Sequence, residues 1–389
     1  MVKKGKRIRF PYKMGNPMGI AVIRVTTREQ KHTFIDLPYS LHEKHPLWVP
    51  PIRMFEKHYI DPSRNHHLEY SDIALYLALL DGKPVGRIMG IVNRKLNQKW
   101  SVKEARFCNF ESINDQGVSS RLLGAVESWA RELGMDHVTG PLGFSNQDPQ
   151  GFLIEGFEHR PSVNTVYNFE YVPGLIEVAG YRKKIDYLTY RIPIPEKVSP
   201  VIEKIAERIA QRGKLNLLEF EKTREAKRYL PVILRFMNEI YTNIYGFIPL
   251  SEKNIQKSVR TFTTILEPRF VKILTAEEDV VAFFFGIRDV TEGFRRANGR
   301  LFPFGFFQIK NAQKKAKRLD LLLGGIREDY RGKGLDTLLG IAMVRSARSL
   351  HMEHGDSHNI AETNKKMCAE MEKIGSTLYK RHRVYRKNV

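Results

Sequence analysis

Cysteine is scarce in this chain of 389 residues, which contains only Cys108 and Cys368. Two cysteines cannot build a disulfide framework, and without a Cys-x-x-Cys pair the sequence predicts no metal site. Long apolar runs are missing too: the longest, Ile73 to Leu80, is far shorter than the ~20 residues of a membrane-spanning helix. The basic amino terminus is followed by no apolar core and so differs from a secretory signal. Together these absences predict a cytoplasmic protein.

Acidic residues are few relative to basic ones. Asp and Glu number 43 against 64 Lys and Arg, which gives a formal net charge of +21. Such an excess favours an anionic partner, which is a phosphate-bearing cofactor, an anionic membrane surface or a nucleic acid. Composition leaves these three alternatives open.

The length of the chain and one proline-rich segment indicate two domains. A chain of 389 residues is too long for a single typical hydrophobic core. Three prolines between Arg191 and Pro200 deny the backbone the hydrogen bonds of a helix or an inner strand and predict an extended connector. We expect a basic tail over residues 1–17, a first domain over residues 18–195 and a second over residues 196–389.

The two predicted domains repeat one order of features. Each has two alternating apolar runs around a turn, then a strand, an amphipathic helix, and a glycine before a final basic, β-branched segment. The interval from hairpin to glycine is 95 residues between Val85 and Gly180 and 94 residues between Val281 and Gly375. Matching order and spacing indicate duplication of one α/β unit with a mixed central sheet.

The segment that carries the chemistry lies in the second domain. An apolar strand ending at Ile326 runs into a glycine-rich turn, and a helix opens at Leu335. Gly332 and Gly334 let the backbone approach a ligand closely, and the unpaired N–H groups of a helix start carry partial positive charge. Basic residues flank both glycines. This arrangement predicts a seat for a pyrophosphate.

The turn resembles motif A of the GNAT superfamily of acyl-CoA N-acyltransferases, Arg/Gln-x-x-Gly-x-Gly/Ala, which binds the pyrophosphate of acyl-CoA. Arg331 and Gly334 match its first and fourth places, whereas Asp336 stands at the sixth in place of Gly or Ala. The resemblance implies two tandem GNAT-like domains, with acyl-CoA as co-substrate of the second.

The corresponding turn of the first, Asn114 to Arg121, has one glycine and no adjacent basic pair. We therefore expect a degenerate first copy that helps to shape the acceptor site. The cofactor contacts implied are Leu323, Gly324, Gly325, Ile326, Arg331, Gly332, Lys333, Gly334, Leu335 and Asn364.

The resemblance also implies where catalytic groups lie. Asn364 precedes Gly375 by eleven residues, the usual interval in the family. The tyrosine that many members carry seven residues after that Asn, and whose hydroxyl can protonate the leaving thiolate, is replaced here by Met371. The proton for the leaving thiolate then comes from Tyr379 or from water, or the reaction needs no general acid.

A general base must take a proton near neutral pH. His354, His358 and Glu362 cluster around the candidate fifth strand, Gly355 to Ile360, and His354 and His358 lie on one strand face. We expect His358 and Glu362 to lie closest to the gap between the fourth and fifth strands and to act as the base. The alternative is that these side chains form only a polar patch on the protein surface.

An aromatic and basic insertion, Phe302 to Lys317, precedes the motif A strand. Phenylalanines beside lysines suit peripheral contact with the anionic inner face of a membrane, single-stranded nucleic acid, or a lid over the active site.

The sequence as a whole leaves two hypotheses for the function. The first is transfer of an acyl group from CoA to an amine acceptor, for example a lipidic long-chain amine. The second is a non-catalytic protein that kept the GNAT fold and binds a CoA-like ligand or nucleic acid.

Overall fold

Strands and helices alternate along residues 19–389, the part of the chain that the computed structural model describes. The predicted basic tail over residues 1–17 lies outside the described residues. The mixture of helices with one mixed sheet confirms the predicted α/β class.

From residue 19 onward, the first half forms seven strands and five α-helices. Its strands are β1 (Ile20–Arg24), β2 (Ser71–Leu80), β3 (Lys83–Asn93), β4 (Glu104–Ser112), β5 (His137–Gly140), β6 (Phe152–Glu155) and β7 (Arg182–Pro193). Its helices are α1 (Arg28–Leu41), α2 (Arg53–Tyr59), α3 (Arg94–Trp100), α4 (Gln116–Glu132) and α5 (Val172–Val178).

The second half repeats this order with additional helices. Its strands are β8 (Leu215–Leu218), β9 (Val271–Ala276), β10 (Asp279–Arg288), β11 (Arg318–Ile326), β12 (His354–Asp356), β13 (Ile360–Ala361) and β14 (Thr377–Asn388). Its helices are α6 (Pro200–Arg212), α7 (Thr223–Ile240), α8 (Glu252–Ile265), α9 (Thr291–Ala297), α10 (Gly305–Lys315), α11 (Leu335–Ser349) and α12 (Lys365–Lys373). The predicted insertion therefore contains the end of the α9–α10 connection and α10.

Both predicted hairpins are present, and their turns show why. Asp81 and Gly82 join β2 to β3 with φ angles of +50° and +76°. A two-residue turn with positive φ at both positions matches the twist of the strands that it joins. In the second half, Glu277 takes a φ of +54° in the turn between β9 and β10. Alternation of apolar residues fixes which face of each strand is buried.

The last strand of each half lies in the sheet of the other half. β7 pairs with β12 and β13 of the second half, and β14 pairs with β5 and β6 of the first. β7 and β14 also pair with each other, so twelve strands follow one path, β1-β2-β3-β4-β5-β14-β7-β12-β11-β10-β9-β8. The expected pair of separate sheets is thus one continuous sheet, because each half donates its terminal strand. The boundary at residues 195 and 196 stays a prediction.

Helices cover both faces of this sheet. In the first half, Val118 and Leu122 of α4 are fully buried with Ile88 of β3 in one apolar cluster. In the second, Leu335 and Leu339 of α11 are buried against β9 and β10. A separate cluster joins α7 and α8 to Phe283 and Phe285 of β10. Each buried Leu or Phe side chain contributes about 1.5–3 kcal/mol, so these layers hold the strands that carry the site.

Candidate functional site

The loop that joins β11 to α11 presents unpaired backbone N–H groups at a helix start. Gly332 and Gly334 have φ angles of +76° and +83°, which residues with side chains rarely adopt. Gly334 directly precedes α11, and no side chain caps that helix. Within residues 19–389, no acceptor receives a hydrogen bond from the N–H groups of Gly332, Gly334, Leu335 and Asp336. Free N–H groups at the positive end of a helix dipole form a seat for an anion such as phosphate.

Basic side chains surround this seat. Arg331 and Lys333 are exposed, and the Lys333 ammonium lies 4.8 Å from the centre of the Tyr330 ring. Arg331 makes a long contact of 3.4 Å from its Nε to the carbonyl oxygen of Ile326. Asp336 is exposed in the first turn of α11, where a carboxylate interacts favourably with the helix dipole. Contact of both basic side chains with a cofactor stays a prediction.

A gap opens in the sheet beside β11. β11 pairs with β12 only through Arg318–Asp320 and His354–Asp356. Beyond those residues the strands separate, and Leu321–Ile326 are half-buried. The other side of the gap is held by β7, since the Ser357 N–H donates to the Tyr190 carbonyl oxygen at 2.9 Å. The gap therefore begins beside Asp320 and follows β11 toward the loop.

The equivalent gap in the first half is filled. β4 and β5 also pair over three residues, Glu104–Arg106 with His137–Thr139. There, however, the Leu142 N–H donates to the carbonyl oxygen of Phe107 at 2.8 Å, and Phe144 is fully buried close by. The first copy thus lacks both the basic glycine loop and the open strand edge. These two differences from the second half are what make the first copy degenerate.

The end of α7 rests on the open edge of β11. The Tyr241 hydroxyl donates to the Gly324 carbonyl oxygen at 2.7 Å and accepts from the Gly324 N–H at 3.3 Å. A Cβ added at Gly325 would lie 2.1 Å from Cδ1 of Ile240. Gly325 is therefore required by the close approach of α7, whereas a Cβ added at Gly324 would lie 2.8 Å from Cδ1 of Phe284 on β10. Leu323 to Ile326, the strand residues predicted to contact acyl-CoA, form this edge.

The two residues predicted as the base have different surroundings. His358 follows the point where β12 leaves β11, and its ring forms no hydrogen bond within residues 19–389. Burial lowers the pKa of His358 to about 4, so the ring is neutral at neutral pH. The Glu362 carboxylate accepts from Lys183 Nζ at 2.8 Å and from the Asp186 N–H at 3.0 Å. Burial raises the pKa of Glu362, but these hydrogen bonds outweigh it and the net shift is downward. Glu362 therefore fixes the chain beside β13 to β7 and does not contact His358.

Tyr379 and Asn364 make local hydrogen bonds. The Tyr379 hydroxyl donates to the carboxylate of Asp356, and burial together with that carboxylate raises the pKa of Tyr379. The exposed Asn364 side chain caps α12 by accepting from the Met367 N–H at 3.3 Å. Asn364 thus has an observed role at a helix start, and its contact with a cofactor stays a prediction.

A buried polar cluster at the apex of the gap was not predicted from the sequence. The Arg318 guanidinium lies 2.9 Å from Asp289, 2.9 Å from Asp320 and 3.5 Å from Asp356. Ser162 donates to Asp356 at 2.9 Å. Burial raises the pKa of Asp320 to about 7 despite the nearby Arg318. We call Arg318, Asp320, Asp356, Tyr379 and Lys380 the apex cluster.

Lys380 completes the apex cluster and connects it to the first half. Its Nζ donates to the Tyr379 hydroxyl at 3.0 Å and to the carbonyl oxygen of Arg160 at 2.6 Å. Burial lowers the pKa of Lys380 to about 8. Arg318 also donates to the Pro161 carbonyl oxygen at 3.2 Å. The sequence did contain one signal for this cluster, which is charged residues within apolar strands, as in Arg-Leu-Asp at the start of β11. It could not show which residues pair with them, because those partners are distant along the chain.

The aromatic and basic insertion follows α9 along the chain. Asp289, which contacts Arg318, lies two residues before α9, and α9 leads to Phe302, Phe304 and Phe307. These three side chains are 78%, 69% and 69% exposed. No helix of residues 19–389 has the length and apolar character needed to cross a bilayer.

The exchanged strands, the gap beside β11 and the glycine loop define the fold of a tandem GNAT protein, as the motif resemblance predicted. The tandem GNAT protein from the clavulanic acid biosynthesis pathway superposes with a TM-score of 0.53 at 12% identity. The match covers 95% of this chain and 98% of that one. At this identity the likeness establishes the fold.

Two proteins are similar over nearly the whole chain. The bacterial ceramide synthase of Caulobacter vibrioides (strain NA1000 / CB15N) is 26% identical over 380 residues, 95% of this chain and 97% of its own length. Protein YghO of Escherichia coli (strain K12) is 23% identical over 365 residues, 92% of each chain. No model of a known protein family matches the chain.

Proposed function

We propose that this protein transfers an acyl group from acyl-CoA to an amine acceptor. The observation that carries the proposal is the set of free N–H groups of Gly332, Gly334, Leu335 and Asp336, which lies at the end of the β11 edge that does not pair with β12. An anion seat followed by an open edge suits a long ligand with a pyrophosphate at one end and an acyl thioester at the other. The first half lacks both features, so only the second half is proposed to bind acyl-CoA.

The groups along the gap suit aminolysis of a thioester. The amine nitrogen bonds to the thioester carbon, the C–S bond breaks, and sulfur leaves as the thiolate of CoA. His358 is neutral and free of hydrogen bonds, and its pKa of about 4 makes it a weak base. Its ring therefore takes the proton of the attacking nitrogen only after that nitrogen has bonded to the thioester carbon and become positively charged. Tyr379 stays the proposed donor to the thiolate, and Lys380 at 3.0 Å can replace its proton. Glu362 acts in this scheme by positioning the chain beside β13.

The acceptor is proposed to be a lipidic long-chain amine. The exposed phenylalanines before and at the start of α10 and the lysines that follow them provide an apolar and basic surface. Such a surface suits the boundary between acyl chains and anionic headgroups. A relative that bears the name ceramide synthase agrees with an acceptor of this class. A soluble amine or a nucleic acid has no comparable supporting contact.

The test is a direct assay of both substrates. The full chain is incubated with acyl-CoA of short, medium and long chains and with a long-chain primary amine, and free thiol and amide are measured by thiol titration and mass spectrometry. We expect amide and thiol in equal amounts. A protein that binds acyl-CoA in calorimetry but releases no thiol with any amine would instead support the non-catalytic alternative.

A further inference from the structure

We propose that the carboxylates of Asp320 and Asp356 bind the ammonium group of the acceptor amine, which then releases one proton to water so that the neutral nitrogen can attack the thioester. This rests on the proposed acyl transfer and names the part of the site that recognises the acceptor. The two residues form the last pair between β11 and β12, so the gap opens directly beside them.

Each of these carboxylates has an oxygen without a hydrogen-bond partner. Within residues 19–389, no donor reaches Asp320 Oδ2 or Asp356 Oδ1, and the two residues are only 2% and 1% exposed. Buried carboxylate oxygens normally accept hydrogen bonds, because a buried acceptor without a donor destabilises the fold. Two such oxygens on neighbouring strands point to a ligand that donates hydrogen bonds.

The charges of the cluster favour a cationic ligand. The carboxylates of Asp289, Asp320 and Asp356 share the single guanidinium of Arg318. Lys380 is close, but its ammonium donates to the Tyr379 hydroxyl and the Arg160 carbonyl oxygen. Residues 19–389 contain no group of three His, Cys, Asp or Glu side chains arranged to hold a metal ion. A primary ammonium, with three N–H donors and one positive charge, matches the free oxygens.

The first half provides an internal comparison. Glu104, at the start of β4, accepts through Oε1 from Tyr245 at 2.6 Å and from Arg106 at 3.1 Å. Its other oxygen accepts from Lys184 at 2.9 Å and lies 3.4 Å from His137. Glu104 lies at the first pair of β4 with β5, and this buried carboxylate is fully paired, whereas the two carboxylates at the last pair of β11 with β12 are not. A cluster that served only to join strands would need no free oxygens.

Protonation should weaken this site. Burial raises the pKa of Asp320 to about 7, and a protonated carboxyl no longer offers a charge to an ammonium. Ammonium affinity should therefore fall as pH drops through about 7, and bound ammonium should shift that loss to lower pH. The charged and titratable groups around Asp320 are Arg318 on β11, Asp289 before α9, His354 and Asp356 on β12, Arg191 on β7, Tyr379 and Lys380 on β14, and Arg160 in the loop that follows β6.

The first experiment uses Asp320→Asn and Asp356→Asn, with Glu104→Gln as the matched change in the first half. Each Asn variant should lower kcat/KM for the amine roughly 10- to 100-fold, the effect of one charge-assisted hydrogen bond. The acyl-CoA dissociation constant should not change, and Asp320→Asn should remove the loss of amine affinity at acidic pH. Folded Asn variants with wild-type amine kinetics and pH profile would show that the cluster only joins strands.

A second measurement needs no variant and so does not depend on folding of the Asn proteins. Calorimetry on the wild-type chain compares n-octylammonium with 1-octanol, which has the same alkyl chain and no charge. We expect the ammonium to bind at least tenfold more tightly at pH 8 and to lose this advantage toward pH 5. Equal binding of the two probes would overturn the ammonium site while leaving the acyl-transfer assay intact. Thiol release without ammonium preference thus separates failure of this proposal from failure of the proposed function.

Discussion

Gly334 is the position where a single residue decides whether the anion seat exists. Its φ of +83° excludes most side chains, and an added Cβ would lie 2.5 Å from Cδ1 of Ile209. An Asp at this position would also place a negative charge among the free N–H groups. We expect Gly334→Asp to abolish acyl-CoA binding in calorimetry.

The control for that change is Gly340→Asp in the same helix. Gly340 has open space where a Cβ would be added, so this variant introduces the same charge without blocking the loop. It should bind acyl-CoA like the wild type. If Gly334→Asp folds and its dissociation constant is unchanged, the pyrophosphate binds elsewhere.

Two buried histidines should make stability depend on pH. Burial lowers the pKa of both His358 and His382 to about 4, against 6.5 for an ordinary histidine. As pH falls from 6.5 toward 4, the unfolded chain takes up these protons and the folded chain does not, so stability is lost. At pH 5 the loss should be about 1–2 kcal/mol per histidine relative to pH 7.5, from about 1.4 kcal/mol per pKa unit.

Urea unfolding at pH 7.5 and pH 5 measures this loss. His358→Gln and His382→Gln should each reduce the difference between the two pH values, whereas a change at the exposed His351 should not. A pH dependence that is the same in all variants would mean that neither histidine is buried in its neutral form.

At the residue scale, the sequence predicted features that are local along the chain. Gly332 and Gly334 take positive φ angles and α11 begins at Leu335, because a glycine turn and a helix start need no distant partners. That these residues and His358 bind and act on acyl-CoA stays a prediction. Asp356 was missed, since its partners Arg318 and Tyr379 come from two other strands. Pairings of that kind depend on sheet order, which periodicity does not contain.

At the scale of elements, the exposed rings before and at the start of α10 predict attachment to anionic membranes. Phe304 and Phe307 are both 69% exposed, and each nearby lysine contributes about 1 kcal/mol at an anionic surface. Vesicles with anionic lipid should sediment the wild type at low salt. The double change Phe304→Ser and Phe307→Ser should release it, whereas Val178→Ser, at an exposed apolar residue of α5, should not.

Salt separates the two contributions to that attachment. Screening lengths shrink from about 10 Å at 0.1 M to about 3 Å at 1 M, so the lysine contribution should fade in concentrated salt. Release by salt alone, with no effect of the phenylalanine changes, would show that the rings do not insert. A wild type that never sediments would make a soluble amine the better acceptor.

Hairpins and the motif A helix were predictable as elements, whereas the gap was not. Alternation with a period of two predicted β2–β3 and β9–β10, and helical spacing predicted the buried face of α11. The gap depends on where β12 leaves β11, whereas in the first half the chain after β5 stays bonded to β4 through the Leu142 N–H. Such a difference is a property of packing in three dimensions, which similar strand patterns do not distinguish.

At the scale of the whole molecule, the exchange of β7 and β14 ties the two halves together. Both strands have 12 residues and similar alternation, so either could pair within its own half as far as the sequence shows. Duplication was therefore predictable from order and spacing, but the exchange was not. Because β7 and β14 are paired along most of their length, the halves form one sheet.

Because β14 packs in the first half, a substitution in this last strand should destabilise the first half. Tyr385 of β14 is fully buried in the apolar cluster of the first half, and its hydroxyl donates to Glu177 of α5 at 2.9 Å. Tyr385→Ala should lower the free energy of unfolding by about 3–5 kcal/mol, as for other large aromatic truncations. In hydrogen exchange, α4 should lose protection more than α11, although Tyr385 is closer to α11 along the chain. Asn388→Ala, at an exposed position of the same strand, should leave both helices protected. Loss of protection in α11 with α4 unaffected would mean that β14 belongs to the sheet of its own half.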